Sequence, residues 1–183
     1  MIPVGEMTRV ELAAFVNETL LKAGISSVLS GGSCVSVWTN NRFASLDLDF
    51  ILGGLHTQNS VKRALATIGF TPMASNSRYY EHEETQLTLE FPNGPLAVGD
   101  ELLDPQNAAN IKTKTGSLRL LKPTDCVKDR LAAYYHWQDR QAFMQAVGVA
   151  KDQSVDWEDL KSWHKKEGLS DQFHSFKTAV ATP

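Results

Sequence analysis

The stretch Leu46-Asp47-Leu48-Asp49-Phe50-Ile51-Leu52 constrains this chain more than any other. Apolar and acidic residues alternate there with a period of two, the repeat of a strand that turns one face to a core. The alternation predicts Leu46, Leu48 and Phe50 on the inner face and Asp47 and Asp49 together on the other. Two carboxylates at i and i+2 repel each other and lose solvation when covered. Either their face is open to water or a cation sits there. Magnesium favours one or two carboxylates completed by substrate phosphates.

The flanking pattern supplies the rest of the fold. Thr8-Arg9-Val10-Glu11 has capping-box spacing, Leu12, Phe15, Val16 and Leu20 follow at helical intervals, and Gly24 is a natural stop. Ile25 to Leu29 reads as a short buried strand ending at Ser30-Gly31-Gly32-Ser33, with a helix from Cys34 to Thr39. A helix is expected from Gln58 to Ile68, strands around Arg78–His82 and Gln86–Phe91, and a hairpin of Ile111–Thr113 with Ser117–Leu121. From Pro123 the pattern is helical: Thr124 to about Trp137 with Thr124 or Asp125 as cap, a run to Val147, then Val155–Lys166 and Ser170–Ala179. Strands in the first two thirds and helices at the end make an α+β arrangement, not a regular βαβ array. The change at Leu121–Thr124 divides the chain into a core, residues 1–122, and a helical region, 123–183, packed on it.

A chain of 183 residues can bury a core without disulfides or a structural metal. The net charge of −3 argues against a general nucleic-acid coat. Cys34 and Cys126 have no metal spacing, and so few cysteines suit a reducing compartment. The N-terminal residues lack the basic-then-apolar form of a signal peptide, and no apolar run is long enough to span a bilayer. A cytoplasmic protein with no membrane partner is the expectation.

Three features carry chemistry together. Gly31-Gly32-Ser33 follows a strand and precedes a helix, where glycine allows close backbone approach and the helix N-terminus seats phosphate. Asp47 and Asp49 come next, and Glu90, in Leu87-Thr88-Leu89-Glu90-Phe91, is a third carboxylate in an apolar frame. If its strand pairs beside that of Asp47 and Asp49, Glu90 joins them as a ligand of a second metal or as a proton acceptor. Singly, a glycine turn is most often a tight connection, and an Asp-x-Asp strand is as often a wet edge. In this order and spacing, residues 25–92 resemble the nucleotidyltransferase superfamily typified by DNA polymerase beta. The resemblance implies a nucleotidyltransferase-like mixed sheet flanked by helices. It also implies a triphosphate held by Gly31, Gly32 and Ser33, magnesium (two ions) on Asp47 and Asp49, and Glu90 as the third carboxylate, a position more commonly aspartate.

Lys122-Pro123-Thr124-Asp125-Cys126-Val127-Lys128-Asp129-Arg130-Leu131 and Trp137-Gln138-Asp139-Arg140-Gln141 resemble segments of AbiEii-type and MenT-type nucleotidyltransferase toxins. On an unbroken helix Lys128 and Asp139 fall near one face. The resemblance implies that Lys128 touches the nucleotide phosphates and Asp139 assists the acceptor, and it brings in an antitoxin partner. Arg42, in the loop before the acidic strand, is a further candidate for a phosphate. Residues 81–104 hold seven carboxylates and no Lys or Arg, whereas residues 112–130 hold six basic side chains and two acidic ones. Such a pattern suits an acidic metal-binding wall opposite a basic phosphate-binding one. The function expected is Mg-dependent transfer of a nucleoside monophosphate from an NTP to an acceptor hydroxyl. The acceptor stays open among an RNA end such as that of tRNA, a protein, and a small molecule such as an aminoglycoside. The alternative is a catalytically silent nucleotide-binding or partner-binding protein of the same fold.

Overall fold

The computed structural model describes residues 2–54 and 56–182. In chain order its elements are α1 (Arg9–Lys22), β1 (Ser26–Leu29), α2 (Gly31–Trp38), β2 (Asp47–Gly53), α3 (Gln58–Ala66), β3 (Thr71–Met73), β4 (Asn76–His82) and β5 (Thr85–Glu90). After them come β6 (Ala97–Val98), β7 (Glu101–Leu102), β8 (Ala109–Lys112), β9 (Ser117–Leu120), α4 (Pro123–Trp137), α5 (Arg140–Asp152), α6 (Trp157–Lys166) and α7 (Ser170–Ala181). Among the described residues no helix is long and apolar enough to cross a membrane.

Seven strands form one mixed sheet in the order β3-β4-β5-β2-β1-β9-β8, and β6 and β7 form a separate ribbon. The β2–β5 and β1–β9 pairs are parallel and the other pairs antiparallel. The acidic strand is therefore central, and its apolar residues Leu48 and Phe50 are fully buried with Leu89 of β5 and Leu29 of β1. Leu12, Val16 and Leu20 of α1 and Leu65 of α3 close the same core. Burial of side chains of this size contributes about 1.5–3 kcal/mol each.

Thr8 and Glu11 form the expected capping box at the start of α1. Asn17, on the buried side of α1, stitches that helix to two strands. Its amide donates to the Ser27 carbonyl at 3.1 Å, and its carbonyl accepts from the Arg119 backbone N–H at 3.0 Å. No spacing rule flags such a residue, because its partners lie 10 and 102 positions away.

Three local expectations need correction. Leu46 precedes β2 and is 64% exposed, so the inner face begins at Leu48. Helix α2 starts at Gly31, not Cys34, so the two glycines lie in its first turn. Neither Thr124 nor Asp125 is the N-cap of α4. Lys122 holds that position without a side-chain cap, and the Thr124 hydroxyl accepts from the Asp156 N–H at the start of α6. Helix α4 does end at Trp137 as expected. Gln138, with a left-handed φ of 57°, turns the chain and Asp139 opens a new helix, so Lys128 and Asp139 do not share one unbroken helix.

The sheet ends in short strands. At one edge β3 has three residues, includes Pro72, and shifts register between Pro72 and Met73. At the other, β8 ends in Lys112. The ribbon is held by Trp163 of α6, whose indole N–H donates to the Val98 carbonyl at 3.1 Å.

Candidate active site

The parallel pairing of β2 and β5 places Asp47 opposite Thr88 and Asp49 opposite Glu90. Register partners on neighbouring strands point to the same face. Asp47, Asp49 and Glu90 therefore share the face opposite Leu48 and Phe50. Each has a different environment. Asp47 accepts a hydrogen bond from the Thr88 hydroxyl. Glu90 has Tyr79 as its register partner on β4, and its nearness raises the Tyr79 phenol above its usual range. Asp49 is the crowded member: burial, then the negative charge of Glu90, push its carboxyl up to about 7, with Asp47 and Asp129 adding and Arg130 opposing.

The glycine turn lies directly against Asp49. The Ser30 N–H donates to the Asp49 carbonyl at 2.9 Å. The Ser33 hydroxyl donates to the Ser30 carbonyl at 2.9 Å and accepts from the Asp49 N–H at 3.2 Å. Gly31 has a φ of +61°, and a Cβ there would lie 2.9 Å from Asp49 Cγ. Glycine is needed on both counts: the backbone angle is left-handed, and the carboxylate occupies the space of a side chain. Ser30 gives α2 no side-chain cap, so the amides of the first turn stay available to an anion.

From the second half of the chain, Arg130 is the basic side chain whose charge acts on Asp49. Helix α4 packs on α2, with Cys126 and Cys34 both buried, and burial, then Cys126, push the Cys34 thiol up. Arg130, one turn further along, is largely buried, with Nε 2.8 Å and Nη2 2.6 Å from Asp129 Oδ2. Its positive charge is felt at Asp49.

Four expected contacts are engaged elsewhere. Lys128 is 1% exposed, and its ammonium lies 2.9 Å from Asp159, 3.2 Å from Glu101 and 3.9 Å from Asp125. Burial works against that charge, but the hydrogen bonds and charges of Asp159 and Glu101 outweigh it and hold the group above its ordinary range. Asp139 is the N-cap of α5, accepting from the Gln141 and Ala142 N–H groups. Arg42 donates to the Gly148 carbonyl at 3.0 Å and pairs with Asp152 at 2.8 Å. The Ser33 side chain is wholly buried and spent on the backbone contacts above. Gly32 remains half-buried at the site.

The chemistry of the donor set suits magnesium. Among the described residues no three His, Cys, Asp or Glu side chains close on one point as a ready metal cage. Magnesium does not require one, because phosphate oxygens and water complete its shell. The raised Asp49 carboxyl is the mark of a cluster short of positive charge.

The sequence matches no protein-family model and no curated protein. A solved structure does match: the solution structure of the antibiotic-resistance factor ANT(2'')-Ia, with a TM-score of 0.51, 13% identity, and coverage of 98% of this chain and 97% of that one. At this identity the likeness is one of architecture. The seven-stranded mixed sheet and its helices form a nucleotidyltransferase-like α+β fold.

Proposed function

We propose that the chain is a magnesium-dependent nucleotidyltransferase that moves a nucleoside monophosphate from an NTP to a hydroxyl of a small-molecule acceptor. One observation carries this reading: the β2–β5 register sets Asp47, Asp49 and Glu90 on one face, against the uncapped start of α2. Asp47 and Asp49 would hold magnesium, with Glu90 available to a second ion. When bound, the metal neutralises charge on the phosphoryl oxygens.

The chain's own groups do the rest. The first-turn amides of α2 seat the phosphate oxygens and favour their negative charge. Glu90, beside Tyr79 on the neighbouring strand, accepts the proton of the acceptor hydroxyl. The acceptor oxygen bonds to the α-phosphorus as the bond to the β-phosphate breaks, and pyrophosphate leaves. Arg130 offsets part of the negative charge around Asp49.

The small-molecule acceptor is supported by two facts. The solved structure of like fold is of an antibiotic-resistance factor, and the net charge of −3 does not favour a polyanionic acceptor. The resemblance to toxins rests on Lys128 and Asp139; the Lys128 ammonium is held by Asp159 and Glu101, and Asp139 Oδ1 caps α5.

The test is label transfer from α-labelled NTPs with Mg²⁺ to three separate pools: mixed aminoglycosides, total RNA and total protein. Label in the first pool, absent with Asp47→Asn and Asp49→Asn, is the expected result. Label in RNA or protein would change the acceptor. Nucleotide binding with no transfer to any pool would favour the silent protein, and no binding at all would sink the assignment.

A further inference from the structure

Trp137, the last residue of α4, is 82% exposed, more than any other large apolar side chain described. The chain has four tryptophans, and the other three are used inside the fold. Trp163 and Trp38 donate their indole N–H groups to backbone carbonyls, and Trp157 packs against Phe173 and Phe176. Trp137 has no such partner among the described residues. One exposed apolar side chain is ordinary in itself, so its position has to decide.

That position is a cleft of about 430 Å³, with Arg130, Ala133 and Trp137 of α4 on one wall and Gly99 and Asp100 on the other. The three α4 residues recur at i, i+3 and i+7 and so form one stripe of the helix. The opposite wall is tied to the same helix. The Asp100 N–H donates to Glu167 at 2.9 Å, and Glu167, whose side chain is 4% exposed, lies 3.5 Å from His136 Nε2.

The cleft opens beside the acidic face. Helix α4 packs on α2, whose first residue borders Asp49, and Arg130 and Asp129 both line the cleft and act on the Asp49 carboxyl. From Arg130 the stripe runs about 10 Å along the helix axis to Trp137, the scale of a nucleoside attached to its phosphates. The charged groups near the indole are paired with one another, Arg130 with Asp129 and His136 with Glu167. A flat, uncharged ring therefore suits this end of the cleft better than an ammonium or a further phosphate.

We infer that Trp137 is the base-stacking residue of the nucleotide site, its indole covering one face of the nucleobase while the phosphates lie at Asp47, Asp49 and the start of α2. Every base has a π-face, so the stack adds affinity with little preference among bases. This inference rests on the nucleotide-binding reading above and adds a contact for the base to those for the phosphates.

The experiment measures the affinity of wild type, Trp137→Ala and Trp137→Phe for ATP and for inorganic triphosphate, each with Mg²⁺, by calorimetry. Triphosphate carries the same phosphates and no base. Trp137→Ala should melt near the wild-type temperature, as expected at an exposed position. It should bind ATP about tenfold more weakly and triphosphate as wild type does. Trp137→Phe, which keeps a ring, should recover most of the loss. Unchanged ATP affinity in Trp137→Ala would overturn the inference and leave the nucleotide reading standing. An equal loss for ATP and triphosphate would overturn it too, because the effect would then not come from the base. A raised KM for the acceptor with unchanged ATP affinity would give the indole to the acceptor instead. Should Trp137→Ala not fold, Trp137→Leu against Trp137→Phe decides by the same ratio of ATP to triphosphate affinity. Wild type binding neither ligand would overturn both readings.

Discussion

Asp49 and Glu90 are register partners on parallel neighbouring strands, and their mutual repulsion, added to burial, holds the Asp49 carboxyl at about 7 against an ordinary value of 3.8. The sign follows from linkage. The folded state holds this proton more tightly than the unfolded chain, so the stabilisation is complete below about pH 4 and is lost as pH rises to about 7. The ligand-free protein should lose on the order of a few kcal/mol from this group across that window. Magnesium competes with the same proton, so the rise in melting temperature on adding it should be larger at pH 8 than at pH 6. Glu90→Gln, which removes the second-largest cause of the shift, should narrow the window. Thermal melts across pH, with and without Mg²⁺, check this; a Glu90→Gln profile identical to wild type would refute it.

The two glycines of the turn should respond differently to substitution. Gly31→Ala forces a left-handed residue with a Cβ 2.9 Å from Asp49 Cγ. It should cost about 1–2 kcal/mol from the backbone alone and abolish activity by displacing the carboxylate. Gly32 has no positive φ, and its added methyl meets Ser45 only at 3.4 Å. Gly32→Ala should fold with near-normal stability and lose affinity for the triphosphate. Urea melts paired with nucleotide titrations separate the two effects.

Lys128→Met should destabilise the protein without weakening nucleotide binding. It leaves Glu101, Asp125 and Asp159 facing one another without their cation. Breaking a buried charge cluster costs about 3 kcal/mol. A Kd for Mg–ATP raised tenfold at full stability would instead return Lys128 to the phosphates.

Asp139→Ala should cost about 1 kcal/mol through loss of the α5 cap, with kcat unchanged on whichever acceptor the transfer assay identifies. Asp139→Asn should restore most of that stability, since asparagine caps nearly as well. A kcat lost in both variants would show that the carboxylate acts on the acceptor.

The acidic strand and the α+β order were legible because they rest on local periodicity. Leu48 and Phe50 alternate with Asp47 and Asp49 whatever the rest of the chain does, and the apolar frame around Glu90 marks a strand, but only the structure pairs that strand with β2. Lys128 was not legible, because its surroundings come from the β6–β7 ribbon and α6, which bring Glu101 and Asp159 from 27 and 31 positions away. Helix α4 ends at Trp137, where the sequence pattern puts it, but the left-handed Gln138 that turns the chain carries no signal. Glutamine rarely adopts a left-handed angle, and neither glycine nor proline marks the spot. Asp139 looked chemical, yet an aspartate opening a helical run is also the ordinary signature of a cap.

The short, proline-bearing β3 decides how this molecule behaves in a crowd. Its three residues, one without an N–H, offer a neighbouring chain almost no ladder to extend, and the register slip twists the remainder away. The opposite border is four residues long and ends on a lysine. A seven-stranded sheet with such blunted margins resists stacking edge to edge into fibrils, so concentrated stocks of the protein should stay free of cross-β aggregates as long as the fold is intact.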